Sequence, residues 1–320
     1  MQFSKGLEGY KISSLAEGFS QLTISTYLSA LNTLIKYLGD KEIEQITSDE
    51  LRGFISYLVT DYVPKRRNNP DNKTQLSTAS HHRYWKAIRS FFKWAKVELG
   101  IDRPDLTLKM PAWESKAVVP LTEDEIITFL RSCDYAWVPA GKRKEYKIRK
   151  PHAIRNKAII LTLLDTGIRA GELSRLRICD VNLENGEVHI KPHHVKKSHS
   201  RTTFLGKKTR KILWQYLVNR EIIRHDESLF VTTSDNPMTP QRFLNLLSRL
   251  GKSCGIRNVH PHRFRHTFAI QYLRNGGDIF TLQRILGHSS LEMVKRYLSI
   301  VKADCESAHR KASPVDNWRL

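Results

Sequence analysis

Three features of the sequence predict a mainly α-helical protein with a small antiparallel β-sheet, divided into two domains. Apolar residues recur at helical spacing through most of residues 15–100. Residues 101–120 hold Pro104, Pro111 and Pro120 with little periodicity, as a connecting stretch would. Beyond them, two short strand-like segments, Glu187–Ile190 and Arg201–Leu205, flank a polar, basic stretch among further helical segments. A chain of 320 residues suits two domains of ordinary size.

In the first domain, Tyr27, Leu28, Leu31, Leu34, Ile35 and Leu38 form one helical stripe, and Gly39-Asp40 stops it. Thr47-Ser48-Asp49-Glu50 opens a second helix with Leu51, Phe54, Ile55 and Leu58 on one face. Residues 61–76 are polar and basic, carry Pro64 and Pro70, and read as a loop. Ser77 or Thr78 starts a third, long helix whose buried stripe is Tyr84, Ile88, Phe91 and Ala95, with Gly100 as its end. Its opposite face carries His82, Arg83, Lys86, Arg89 and Lys93. That face is either simply solvated or laid on DNA, with Arg83, Lys86 and Arg89 as the candidate phosphate contacts. Helix-like sequence begins near residue 20, so no further N-terminal DNA-binding domain is expected.

The second domain opens at Thr122, a helix cap with Glu125 three residues on. Residues 142–157 form a dense basic run, read as a loop that is solvated or faces DNA. An apolar helix is expected at Ala158–Asp165, and Leu229–Thr232 is a third strand candidate. The remaining helices are expected at 207–220, 239–250, 262–274, 278–286 and 290–301.

Charge narrows the function. Lys and Arg number 53 against 32 acids, a net charge of +21 with a pI near 9.9. A polyanionic partner is the simplest reason to tolerate such self-repulsion. Nucleic acid is preferred to a membrane surface, because no basic amphipathic helix with a bulky apolar face stands out. No apolar run approaches the roughly 18 residues needed to cross a bilayer, and Met1-Gln2-Phe3-Ser4-Lys5 lacks a signal-peptide core, so the expected location is cytoplasmic. Cys133, Cys179, Cys254 and Cys305 are unclustered, which argues against structural zinc and a disulfide framework. No HExxH-like spacing points to a metal enzyme.

Three clusters carry chemistry. Thr166-Gly167-Ile168-Arg169-Ala170-Gly171-Glu172-Leu173 presents an arginine from a glycine turn, with Glu172 as a local ion-pair or orienting partner. In His260-Pro261-His262-Arg263-Phe264-Arg265-His266-Thr267, His262 and Arg265 share one face near a helix N-terminus, where an anion is favoured. In Leu286-Gly287-His288-Ser289-Ser290, the glycine ends one helix and a serine caps the next, with Tyr297 two turns along it.

Taken in order, TGxRxxEL, PHxxRHTFA and LGHSS with a downstream tyrosine resemble the active-site boxes of the tyrosine recombinases, which include phage integrases and Xer-type enzymes. The resemblance implies a helical core-DNA-binding, SAM-like domain over 1–110, a linker over 111–120, and a mixed α/β catalytic domain with a C-terminal tail over 121–320. It implies that Tyr297 attacks the scissile phosphate to form a 3′-phosphotyrosyl link. Arg169 and Arg265 would clamp the non-bridging oxygens, as rigid guanidinium forks suit a transition state rich in negative charge. His262 would exchange a proton with the tyrosine or stabilise the phosphate, and His288 would donate a hydrogen bond to it. The family's general acid is a lysine on a hairpin between two strands. Here the hairpin is Ile190–Arg201, and counting back from its second strand favours Lys196, with Lys197 as competitor. The usual Gly-Lys-Gly setting is absent, and His193-His194 enlarge the loop.

The resemblance further implies double-stranded DNA as partner, a tetramer assembled on paired sites, no cofactor, and room for accessory directionality or DNA-bending proteins. The C-terminal tail would fold back on its own domain or pack on a neighbouring protomer. Phage, transposon, integron and chromosome-resolving recombinases share these motifs, so a mobile genetic element is one setting among several. The competing readings are a type IB topoisomerase, which shares the chemistry but only relaxes DNA, and a DNA-binding protein without catalysis.

Overall fold

A computed structural model describes residues 1–64, 73–111, 119–138, 146–192, 200–220 and 224–287, and single residues beyond them, among which are Val294 and Tyr297. The chain divides into two compact units, Met1–Lys116 and Ala117–Leu320.

The first unit is helical: α1 (Phe3–Ala16), α2 (Gln21–Leu38), α3 (Ser48–Thr60) and α4 (Thr78–Leu99). Helices α2 to α4 start at side-chain caps, Ser20, Thr47 and Ser77, each accepting from a backbone N–H of the first turn. Thr47 and Glu50 complete a capping box. The stripes expected from spacing are the buried ones, with Leu31, Leu34, Leu51, Phe54, Leu58, Ile88 and Phe91 all at the centre.

Helix α1 departs from the expectation that helical sequence begins near residue 20, because Gly6 and Gly9 break its pattern. Phe3, Leu7 and Tyr10 nevertheless enter the core, and Tyr10 Oη lies 2.7 Å from Ser90 Oγ on α4. The stretch after Gly100 is also a correction. Its first part packs on the helices, whereas residues 112–118 lie outside the described residues. A 3₁₀ turn at Pro104–Thr107 buries Asp105, which takes the fork of Arg103 at 3.1 and 2.5 Å. Ser48 Oγ donates to Pro104 O, and Trp85 Nε1 donates to Leu108 O. On α4, His82 is buried with its Nε2 2.7 Å from Pro111 O, so it leaves the basic face. Arg83 and Lys86 stay exposed. Arg89 is half-shielded: it lies over the Trp85 ring at 5.0 Å and 3.6 Å from Asp105.

The second unit holds α5 (Glu123–Ser132), β1 (Tyr135–Val138), β2 (Tyr146–Arg149), α6 (Ala153–Thr166), α7 (Ala170–Leu173), β3 (Glu187–Ile190), β4 (Arg201–Phe204), α8 (Lys207–Val218), α9 (Pro240–Ser253), α10 (Pro261–Arg274) and α11 (Ile279–Leu286). Its main core surrounds Ile159, Leu163, Leu213, Phe243, Leu247 and Phe264. The β3–β4 pair is antiparallel with Glu187 opposite Phe204 and Ile190 opposite Arg201, as expected.

Two expectations fail here. Part of the basic run is strand: β2 pairs antiparallel with β1, Tyr135 opposite Arg149, and α6 begins at Ala153 rather than Ala158. Leu229–Thr232 is not a strand. It is a buried segment with isolated bridges, Arg177 to Ser228 and Val231 to Pro237, because its backbone partners belong to loops. A second, smaller cluster of Ala269, Ile270, Leu282, Leu286, Val294 and Tyr297 seats the tyrosine against α10 and α11. Most of the helix expected at 290–301 and most of the C-terminal tail lie outside the described residues. No helix among the described residues is long and apolar enough to cross a membrane.

Candidate active site

The site is assembled from the C-terminal ends of two helices and one turn of α10. Helix α6 ends at Gly167 in the left-handed region, φ 59°. Only glycine fits there, since a Cβ would stand 2.6 Å from Phe268 Cδ1 and 2.7 Å from Leu286 Cδ2. This tight turn throws Arg169 out at the start of α7. The Arg169 backbone N–H donates to Glu172 Oε2 at 2.9 Å and its guanidinium to Oε1 at 3.1 Å.

Glu172 is the centre of a wider network. Arg201, the first residue of β4, donates a two-pronged fork to it at 2.9 and 2.7 Å, while its Nε donates to Ile285 O at 2.8 Å. One side chain thus ties the β3–β4 hairpin, the arginine turn and the end of α11 together. Burial alone would raise the Glu172 pKa; the Arg201 fork, helped by the Arg169 backbone and guanidinium, outweighs it and holds the carboxylate at about 2. Glu172 is thus the orienting carboxylate that its motif suggests, but its main partner, Arg201, lies too far along the chain for spacing to indicate.

A depressed carboxylate stabilises the fold above its unfolded value near 4.5, and that contribution is lost as pH falls towards 2. The expected loss is on the order of 3 kcal/mol across that window. Thermal melts of wild type and Glu172→Gln over this acid range test it. Wild type should lose stability more steeply than the variant, and parallel acid slopes would refute the assignment.

Arg265 is 3% exposed and lies in the middle of the assembly. Its two terminal nitrogens donate to Gly167 O and Leu286 O, both at 2.7 Å. Those carbonyls close α6 and α11, where the helix dipoles concentrate negative charge, so a buried cation is well placed. Burial first, then the charge of Arg169, pull the Arg265 pKa down to about 9, which leaves it cationic at neutral pH. His262, one turn earlier on α10, opens to solvent. Desolvation by the protein around it, then Arg265, His260 and Arg169, lower its pKa below the ordinary histidine value. The charge of Arg169 contributes to lowering both pKa values.

Tyr297 is 3% exposed, and its Oη lies 2.8 Å from Nδ1 of His266, one residue past Arg265. The rings meet at 5.6 Å between centroids. In the sequence His266 is only one letter of the PHxxRHTFA box, with no role of its own; the one signal for it is its place four residues after His262, on the same helical face. Lys196 and its competitor Lys197, and His288, lie outside the described residues. Arg83, Lys86 and Arg89 belong to the other unit. Beside Glu172 a cleft of about 540 Å³ opens, lined in part by Arg175, Arg177, His189 and Lys191. Among the described residues no group of three or more His, Cys, Asp or Glu could hold a metal ion.

Comparison with known proteins follows the same two-part division. Residues 120–303 match the phage integrase family, and residues 9–98 match the phage integrase N-terminal SAM-like domain. The chain is 29% identical over 290 residues to tyrosine recombinase XerA of Saccharolobus solfataricus, covering 91% of this chain and 86% of the relative. It shares its fold with the Tn1549 transposon integrase solved with a circular intermediate DNA, at TM-score 0.71, 18% identity, and 95% and 99% coverage. It also resembles a lambda integrase tetramer bound to a Holliday junction, at TM-score 0.66 and 17% identity, covering 91% of this chain and 78% of that one.

Proposed function

The chain belongs to the phage integrase family of tyrosine-type site-specific recombinases, and we propose that it cuts and rejoins DNA with Tyr297 as its nucleophile. The supporting observation is a convergence. Arg265 grips the carbonyl of Gly167, two residues before Arg169, and that of Leu286, while Tyr297 rests on the residue that follows Arg265. Arg265 is thus tied to the turn that presents Arg169, and Tyr297 is seated on the same helix, which supports a common site for the three.

In the proposed reaction, Tyr297 Oη bonds to the scissile phosphorus and the bond to the 5′-oxygen breaks. The products are a 3′-phosphotyrosyl link and a free 5′-hydroxyl. Arg169 and Arg265 hold the non-bridging oxygens as charge builds on them, and preorganised cations stabilise that charge without reorganisation. Lys196 is the proposed proton donor to the leaving oxygen. His262 and His288 are proposed to hydrogen-bond the phosphate. The phosphotyrosyl link keeps the phosphodiester's energy, so rejoining needs no ATP. The arginines supply the positive charge that a metal supplies elsewhere.

Arg83, Lys86 and Arg89 on α4 are proposed to contact DNA phosphates, and the net charge of +21 favours such binding. By analogy with the lambda integrase tetramer on its junction, the active assembly is proposed to be a tetramer on paired sites. The match to the integrase N-terminal SAM-like domain favours recombination over simple DNA relaxation.

The test uses end-labelled DNA from the regions flanking the gene, as intact and as nicked suicide duplexes, with EDTA present. A covalent protein–DNA adduct should form on a denaturing gel, and peptide mass spectrometry should place it on Tyr297. Tight binding with no adduct, or an adduct that vanishes on chelation while the protein stays folded, would overturn the reading.

A further inference from the structure

Resting on Tyr297 as the nucleophile, we propose that His266 is a catalytic residue, the group that takes the phenolic proton as Tyr297 attacks. The reason starts with burial. A free phenol has a pKa of about 10, so only about one in a thousand is ionised at neutral pH. Tyr297 is 3% exposed, packed among Ala269, Ile270, Leu282, Leu286 and Val294. Burial disfavours the bare phenolate further and leaves little water at hand to collect the proton. The attack therefore needs a fixed acceptor in contact with the oxygen.

His266 Nδ1 is at 2.8 Å, within the range for a proton-transfer hydrogen bond. With its own proton on Nε2, the neutral ring turns the Nδ1 lone pair to the phenol. Imidazole is the side chain that gains and loses a proton near neutral pH. His262 is the other histidine of the helix face, but its ring centroid stands 6.3 Å from that of His266, and it opens to solvent. The geometry separates the two: His266 is in contact with the phenol, and His262 opens to solvent.

The step balances. The Oη–P bond forms as the P–O5′ bond breaks, and the phenolic proton passes to Nδ1, leaving an imidazolium. The 5′-oxygen is protonated by the separate general acid. In the ligation step the 5′-hydroxyl attacks the phosphorus and returns its proton to the deprotonated general acid, while the Oη–P bond breaks and the imidazolium returns its proton to the departing phenolate.

The experiment compares wild type, His266→Asn and His262→Asn, each with tyrosine or with the more acidic fluorotyrosine at position 297, in single-turnover cleavage of a suicide duplex. Asparagine can offer an oxygen where Nδ1 stood and keep the phenol hydrogen bond, but it cannot take the proton. His266→Asn is expected to cleave about 100-fold slower or worse, with DNA binding retained. Fluorotyrosine should recover much of that loss in His266→Asn, while giving wild type no gain, because a phenol that ionises by itself needs no acceptor. His266→Asn cleaving at the wild-type rate or faster, a slow variant that fluorotyrosine does not rescue, or rescue confined to His262→Asn would each overturn the proposal. Failure of the underlying reading looks different: wild type then gives no adduct, or an adduct on another residue.

Discussion

Tyr297→Phe is expected to abolish covalent capture of DNA, by more than about 10⁴-fold in the cleavage rate, while the protein still folds and binds its site. The proposed nucleophilic oxygen is the only heavy atom removed, and nothing else at that position can form the bond to phosphorus. The ring itself is a packing element, held among Ala269, Ile270, Leu282, Leu286 and Val294. Phenylalanine keeps that packing and loses the hydrogen bond to His266, at a net cost of about 1 kcal/mol. A denaturing gel, a gel shift and a thermal melt on the same preparation separate the effects. The expected pattern is no adduct, unchanged binding and a melting temperature within a few degrees of wild type. An adduct that persists in Tyr297→Phe would mean that another side chain attacks.

Arg265→Lys is expected to lower cleavage by about 10³-fold and to destabilise the fold as well. The guanidinium does two jobs with one planar group. Its terminal nitrogens hold the carbonyls of Gly167 and Leu286 at 2.7 Å, and the same cation is proposed to face the phosphate. A lysine carries a single nitrogen on a flexible stem and cannot reproduce a fork between two helix ends. Losing a buried charged donor to two carbonyls should cost about 2–3 kcal/mol. Arg169→Lys is the control. Its guanidinium is partly open to solvent and pairs with Glu172, which Arg201 also holds. It should lose about 10²–10³-fold in cleavage with little change in melting temperature. Equal stability losses in the two variants would count against the structural role assigned to Arg265, and undiminished cleavage in either would remove that arginine from the proposed phosphate clamp.

Much of the helical scaffold is legible in the sequence, because its signals are local. The α2, α3 and α4 stripes, the caps at Thr47, Ser77 and Thr122, and the stops at Gly39 and Gly100 depend on residues within a turn or two of each other. The departures have one cause, which is that tertiary packing overrides a local pattern. Helix α1 survives two glycines because Gly6 must sit against Ile43, where a Cβ would come within 2.6 Å of the side chain. Residues 104–108 pack into the first unit because Pro104, Asp105 and Leu108 find partners on α3 and α4. Part of the basic run becomes strand because β1 supplies an edge, and Leu229–Thr232 fails to become one because no strand lies beside it among the described residues.

The sequence by itself determined the chemistry available. The order of Arg169, the HxxR pair His262 and Arg265, the glycine turns and Tyr297 is a matter of residue types and spacing, and that order suffices to indicate the family. Only the tertiary structure decided which groups touch. Arg201 reaches Glu172 across 29 residues, Arg265 reaches Gly167 across 98, and His266 reaches Tyr297 across 31. Such contacts depend on where helices end and how they cross, and no periodicity along the chain encodes a distance between segments so far apart. That is why the arginines can be proposed as a clamp from residue order, whereas the histidine in contact with the tyrosine is identified only by the fold.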